Sequence, residues 1–205
     1  QIPGADFGTF RWGFTVDQPV SGLTSKPLVT RDLLPLGSAQ LMDLLFALDN
    51  RLQAGSLEAT ALAPLARFLA ADTVWVTNDA AFDRFRTLRP ELLADMFAVP
   101  PDGLGEPIEF GTPTANIPQV AIVDEESVAD PRVGLPLAPV LLVPVESAQP
   151  LIRLGGRLVV LDGSGDGMVD AAAAGLLDGS ELVRYANDLA ADEWHNLADE
   201  AVIIV

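Results

Sequence analysis

Cysteine is missing from the sequence, which removes thiol nucleophiles, thiolate zinc sites and disulfides. Histidine occurs once, as His195, so no two-histidine metal motif can form. No G-x-S-x-G segment presents a serine to that histidine, and His195 reads as an ordinary side chain. Positive charge is scarce: 12 Lys and Arg stand against 29 Asp and Glu, a formal net charge of −17. Each phosphate contact needs a positive donor, so the balance disfavours nucleic acid as a partner. The one basic cluster, "FDRFRTLRP" with Arg84, Arg86 and Arg89, reads as a solvated helix face in acidic surroundings. No apolar run approaches the ~20 residues that cross a bilayer, and the longest, around residues 140–145, is interrupted by Pro144. The chain opens at Gln1 with neither Met nor a leader pattern and closes on the strand-like "AVIIV". It therefore reads as a soluble segment of something longer.

What is present is a core-forming composition. Hydrophobic residues make up 49% of 205, which excludes disorder and leaves no need for a metal or disulfide to drive folding. From the N-cap Ser38, Leu41, Leu44, Leu45, Leu48 and Leu52 recur at helical spacing up to Gly55. Ser56 caps a second helix with Leu57, Ala61, Leu65, Phe68 and Leu69 as its stripe, which Pro64 should kink or split. "TVWVT" (73–77) is a strand followed by the cap residues Asn78 and Asp79 and a short helix carrying Phe82 and Phe85. Pro90 opens a further helix through Phe97. "QVAIVDE" and "APVLLVPVES" are strands, and Pro136, Pro139 and Pro144 put the second at an edge or a bulge.

The last third reads as a strand, a glycine turn and a helix in "LVVLDGSGDGMVDAAAAGLLDG", a helix in "SELVRYANDLA", and a final strand. That β-α-α-β order signals a parallel crossover. The expected fold is α/β: a mixed, largely parallel sheet with helices on both faces, one domain over 1–205. Any subdivision falls in the Pro- and Gly-rich stretch 100–118, where 108–110 is at most a short strand.

Two motifs carry chemical alternatives. In "DGSGDG" (162–167), a glycine turn entering a helix can hold a phosphate or nucleotide on its N–H groups, although Met168 stands where the dinucleotide fingerprint needs glycine. Asp162, Ser164 and Asp166 also match the first, third and fifth ligands of a calcium loop, but Ala173 replaces its bidentate glutamate. The third reading is a plain β-to-α turn. In "FRWGFTVDQP", Phe10, Trp12 and Phe14 alternate, which puts them on one strand face with Arg11 on the other. Such a face either stacks on a sugar or seals onto the core. Carboxylates are too numerous for spacing to single out a catalytic pair.

The run "RWGFTVDQPVSGLTSKPLVTRDLLPLGSAQLMDLLFALDNRLQAG", continued by "VWVTNDAAFDRFRTLRPE", resembles the membrane α-(1→3)-arabinofuranosyltransferases of actinobacterial cell-wall assembly. The likeness is carried by Arg11-Trp12-Gly13, Asp17, residues 27–38 and residues 78–86, and it loosens after residue 100. It corresponds to the soluble stretch after the first bundle of membrane helices. The resemblance implies a parent that moves arabinofuranose from a polyprenyl-phosphate donor to an arabinan chain outside the cytoplasmic membrane. It also implies a catalytic centre in the absent bundle, so no catalytic residue is assigned here. The expected role is a periplasmic accessory domain that positions the arabinan acceptor or braces other domains of the parent. It would meet the membrane only through that parent and need no cofactor of its own. The residues expected to touch sugar are Arg11, Trp12, Asp17, Arg31, Asp32, Asn78 and Asp79. The alternative is an independent α/β domain that binds a nucleotide, an anion or calcium at 162–167.

Overall fold

The computed structural model describes residues 1–4, 8–16, 18–31, 37–85, 87–119, 134–197 and 202–204. Alternating apolar residues organise its first three-stranded sheet. In β3 (Thr73–Thr77), Val74 and Val76 point inward; in β7 (Val140–Pro144), Leu141 and Val143 do. The two strands run antiparallel with Val74 opposite Val143 and Val76 opposite Leu141, and β4 (Ile108–Phe110) flanks β7 on its other side. At the free edge of β3, Ile2 bridges Val76, its N–H donating to the Trp75 carbonyl at 2.8 Å. Two short antiparallel pairs complete this part: β1 (Gly8–Phe10) with β2 (Gly13–Thr15), and β5 (Thr114–Ala115) with β6 (Pro136–Leu137).

The helices read over 38–55, 56–69 and 90–97 form, but Ser56 does not cap the second. Glu58 holds the N-cap position, and the Ser56 hydroxyl donates to the Arg51 carbonyl at 3.4 Å instead. Helix α2 (Ala39–Gln53) follows the short α1 (Val20–Leu23), and the Ser38 hydroxyl caps it by accepting from the Leu41 N–H at 3.2 Å. Gly55, at φ +65, ends it in the left-handed region. Pro64 does split the next segment. A 3-10 turn (Ala59–Ala61) leads into α3 (Leu62–Phe68), with Pro64 in the first turn, where its missing N–H costs no helical bond. The short α4 (Phe82–Phe85) and α5 (Pro90–Ala98) follow.

The C-terminal part is a parallel sheet in the order β10-β8-β9, from β8 (Leu158–Leu161), β9 (Leu182–Tyr185) and β10 (Val202–Ile204). Helix α6 (Gly165–Ala173) connects β8 to β9, and α7 (Ala191–Leu197) lies between β9 and β10. One apolar core joins the two sheets: Val76 and Val143 from the first, Val159 and Leu161 from the second, with Leu52, Leu65, Leu93 and Met168 from the helices.

Three expectations are corrected. The α/β class holds, but parallel pairing is confined to the C-terminal sheet and the other sheets are antiparallel. An apolar run reports burial; strand direction is set by where the connection returns. Residues 182–185 of "SELVRYANDLA" form a strand, followed by a 3-10 turn (Ala186–Asp188). Buried Glu181 turns the chain into that strand: its carboxylate accepts from the N–H groups of Asp178 (3.0 Å) and Gly179 (2.9 Å) and pairs with Arg157 (3.1 Å). Pairing with β8 then outweighs local helical spacing. Finally, β7 is the central strand of its sheet rather than an edge. Its prolines sit at the ends, where their carbonyls still accept: Pro139 from the Asn78 N–H and Pro144 from the Gly105 N–H, both at 2.8 Å. Of "QVAIVDE", all but Gln119 lies outside the described residues.

Helix α6 crosses α2 at very short range because position 165 carries no side chain. A Cβ there would lie 2.6 Å from the backbone of Asp43 and Leu44. We expect Gly165→Ala to lower stability by about 1–3 kcal/mol or more through overpacking. Gly163→Ala, facing open space, should stay within about 0.5 kcal/mol of wild type. Urea midpoints of the two variants check this; equal midpoints would refute it.

Candidate functional site

The opening aromatic stretch is a hairpin rather than one strand. Phe10 pairs with Gly13, so Arg11 and Trp12 form the two-residue turn between β1 and β2. This breaks the expected alternation. Phe10 is buried, and Trp12, 63% exposed, folds back to stack on it with ring centroids 4.8 Å apart and planes 4° from parallel. One indole face is thereby covered and the ring projects at the hairpin tip.

The tip is fastened to the chain leaving β3. The Arg11 N–H donates to the Asp79 carbonyl (2.9 Å), the Ala81 N–H donates to the Thr9 carbonyl (2.9 Å), and Phe10 bridges Ala80. The Trp12 indole N–H donates to the Asp79 carboxylate at 2.7 Å. Burial raises the Asp79 carboxyl above its ordinary value, and the indole N–H pulls in the opposite direction. Arg11, expected to face away from the aromatics, instead runs inward. Its guanidinium pairs with Asp83 at 2.5 Å, lies 5.2 Å from the Phe82 ring centroid, and donates from Nε to Asn116 Oδ1. The Asp83 side chain is fully buried. Arg89 covers Phe82 as well and is buried, so this member of the basic cluster is not a solvated cation; Arg84 is exposed and Arg86 lies outside the described residues.

Asn116 is the residue that sequence reasoning misses. Its amide nitrogen donates to the carbonyls of Asn78 (2.6 Å) and Ala80 (2.9 Å) while its oxygen receives Arg11. It ties the segment after β5 to the tip across long sequence separations, and nothing local in "TANIP" announces that. Asn78 is buried and donates to the Ala138 carbonyl at 3.0 Å. The structure thus brings Arg11, Trp12, Asn78 and Asp79 together, with Trp12 and Asp79 forming the accessible part.

Arg31 belongs to a different cluster. It pairs with buried Asp49 at 3.2 Å, donates to the Gly4 carbonyl at 3.3 Å and lies over Phe46. Asp17 and Asp32 lie outside the described residues.

At the glycine turn, the chain supplies its own anion. The Gly165 N–H donates to the Asp43 carboxylate at 2.5 Å, at the N-terminus of α6. Asp162 is exposed, Ser164 makes no side-chain capping bond, and Asp166 pairs with Arg51 at 2.8 Å. Arg51 also donates to Asp170 at 3.0 Å, and that bond holds the Asp170 carboxyl below its ordinary value. A phosphate at this turn would have to displace Asp43, and calcium would have to draw Asp166 from Arg51. Among the described residues no group of three His, Asp or Glu side chains is arranged to hold a metal ion. His195 lies on α7.

Comparison with known proteins adds what the geometry does not carry. A family model described as the N-terminal GT-C domain of alpha-(1->3)-arabinofuranosyltransferase matches residues 1–203. A Mycobacterium tuberculosis protein named alpha-(1->3)-arabinofuranosyltransferase is 34% identical over 124 residues, 60% of this chain and 9% of its own. A cryo-EM structure of arabinofuranosyltransferase AftD from mycobacteria superposes with a TM-score of 0.61 at 23% identity, covering 89% of this chain and 15% of that one. A mutant form of AftD gives 0.68 at 22% identity, covering 98% and 16%. The solved structures establish a shared fold. The chain spans only a small part of each relative's length.

Removing one partner of the buried Arg11–Asp83 pair leaves the other charge uncompensated, so Asp83→Ala should cost roughly 3–5 kcal/mol in urea unfolding; a loss under 1 kcal/mol would contradict it. The raised Asp79 pKa has a definite sign. Stability associated with its protonated form is fully present below the unfolded aspartate value of about 3.9 and is lost as pH rises through the folded value. Asp79→Asn, which cannot ionise, should therefore gain stability relative to wild type as pH climbs from 3 to 7. A pH-independent difference would count against a raised value.

Proposed function

The chain belongs to the alpha-(1->3)-arabinofuranosyltransferase family through its N-terminal GT-C domain, and on that premise we propose that it positions the glycan acceptor for a catalytic centre elsewhere in the parent enzyme. The parent transfers arabinofuranosyl groups from a lipid-linked donor to cell-wall arabinan at the outer face of the cytoplasmic membrane. No helix among the described residues is long and apolar enough to cross a membrane. In this reading the segment meets the bilayer through the rest of the parent.

One observation carries the reading. Trp12 is an exposed ring braced from behind by Phe10 and fixed in orientation by Asp79. Sugar rings stack their C–H faces on such a surface, and a neighbouring carboxylate oxygen accepts from their hydroxyls. Because the ring is already fixed, binding loses little side-chain entropy. Arg11 and Asn116 serve as the frame that holds the turn in place.

Three tryptophans give three indole N–H signals. Titrating the ¹⁵N-labelled chain with an α-(1→5)-linked arabinofuranose trisaccharide should shift the Trp12 signal saturably at millimolar ligand. In the full-length parent, Trp12→Ala should raise the acceptor KM with little change in kcat. A Trp12 signal that stays still, together with an unchanged acceptor KM, would overturn the reading.

A further inference from the structure

A second recess shares no residue with the hairpin tip. It lies at the C-terminal end of the parallel strand β9, which lines it with Val183, Arg184 and Tyr185, and has a volume of about 330 Å³. Open α/β sheets place ligands beyond the carboxyl ends of their strands, and small-molecule pockets begin at about this size. Its apolar wall comes from Leu41, Leu44, Phe68 and Met168, of which Leu44 and Met168 are almost fully buried. At the mouth, Gln40 donates to the Asp188 carboxylate at 2.9 Å, linking the start of α2 to the turn after β9. Arg184 also lines the recess and reaches Glu193 only at 3.9 Å.

Tyr185 decides the chemistry. Its hydroxyl has the Met168 thioether, 4.0 Å away, as its hydrogen-bond contact, and thioether sulfur is a weak acceptor. Burial, then the nearby Asp43 and Asp188 charges, raise the phenol above its ordinary value, so it stays protonated and can both donate and accept. The lining carries one cation and one carboxylate, Arg184 and Asp188, and an anion entering it would meet Asp188 with Asp43 close by. A neutral polyol meets no such opposition. Its hydroxyls match the phenol, the Gln40 amide and the Asp188 carboxylate, and its C–H face matches Phe68 and Leu41.

We propose that this recess is a second carbohydrate subsite, accepting one or two neutral sugar residues with the Tyr185 hydroxyl as the group that recognises them. The inference rests on the glycan-positioning reading for its ligand class, and on the recess itself for its location.

The composition supplies clean reporters: Tyr185 is the only tyrosine, and there are three methionines. With 3-fluorotyrosine and [¹³C-methyl]methionine labels, the same arabinofuranose trisaccharide should move the Tyr185 fluorine signal and the Met168 methyl signal saturably. Inorganic phosphate should move neither. Tyr185→Phe should weaken binding, read at the Met168 methyl, by about fivefold, the scale of one hydrogen bond. Trp12→Ala should leave this site unchanged. Silent Tyr185 and Met168 signals at millimolar trisaccharide, an equal response to phosphate, or full affinity in a folded Tyr185→Phe variant would each overturn the proposal. Movement at Trp12 with silence at Tyr185 sinks only this inference, and the reverse pattern, joined by an unchanged acceptor KM for Trp12→Ala, sinks only the hairpin reading.

Discussion

A guanidinium drawn out of water needs a carboxylate and further acceptors around it, because its desolvation is otherwise uncompensated. Arg11 meets that requirement with Asp83, Asn116 and the face of Phe82, contributed by two separate stretches of chain. The turn between β1 and β2 can take its observed path only when those stretches are in place. The exposure of Trp12 is thus a by-product of burying its neighbour: one residue of a two-residue turn goes inward and the other is left outside. An exposed aromatic ring and a structural plug, which look like alternatives in the sequence, are two halves of the same turn.

The glycine turn at 162–167 follows a comparable logic with opposite charge. Helix N-termini attract anions, and here a carboxylate of the same chain, Asp43, occupies that position. The absence of a side chain at Gly165 lets α2 come close enough to deliver it. Arg51 then takes up Asp166 and Asp170 on the outer side. A turn that only partly matches nucleotide and calcium loops thus clasps two helices, and Leu44 of α2 and Met168 of α6 both line the recess beside Tyr185.

Much of the local structure was legible. Ser38 and Gly55 bracket α2 as cap chemistry predicts, and Pro64 splits its segment. β3, α5, β8 and β10 fall where their patterns put them. Errors arose where a distant partner outweighs a local pattern. Leu182 to Tyr185 has helical spacing, yet β8 and Glu181 make it a strand. Pro139 and Pro144 look like edge markers, yet both sit at the ends of a central strand and still accept hydrogen bonds. Of the residues gathered at the hairpin tip, Arg11 and Trp12 stand out in the sequence by type within an aromatic run, and Asn78 and Asp79 by following a strand. Asn116 does not, since its role exists only once the segment after β5 has folded back on β3.

The pairing of β3 with β7 also bears on how the protein comes to be folded. Val74 meets Val143 across several helices and loops, and the parallel strands are likewise joined only by crossovers. Neither main sheet can start from a tight local hairpin. Loop-closure entropy must be met before either sheet returns any pairing energy, which places the chain among the slow folders of its size. Until both sheets close, the valines and leucines of β3, β7 and β8 remain open to intermolecular association, which makes that interval the one most exposed to aggregation.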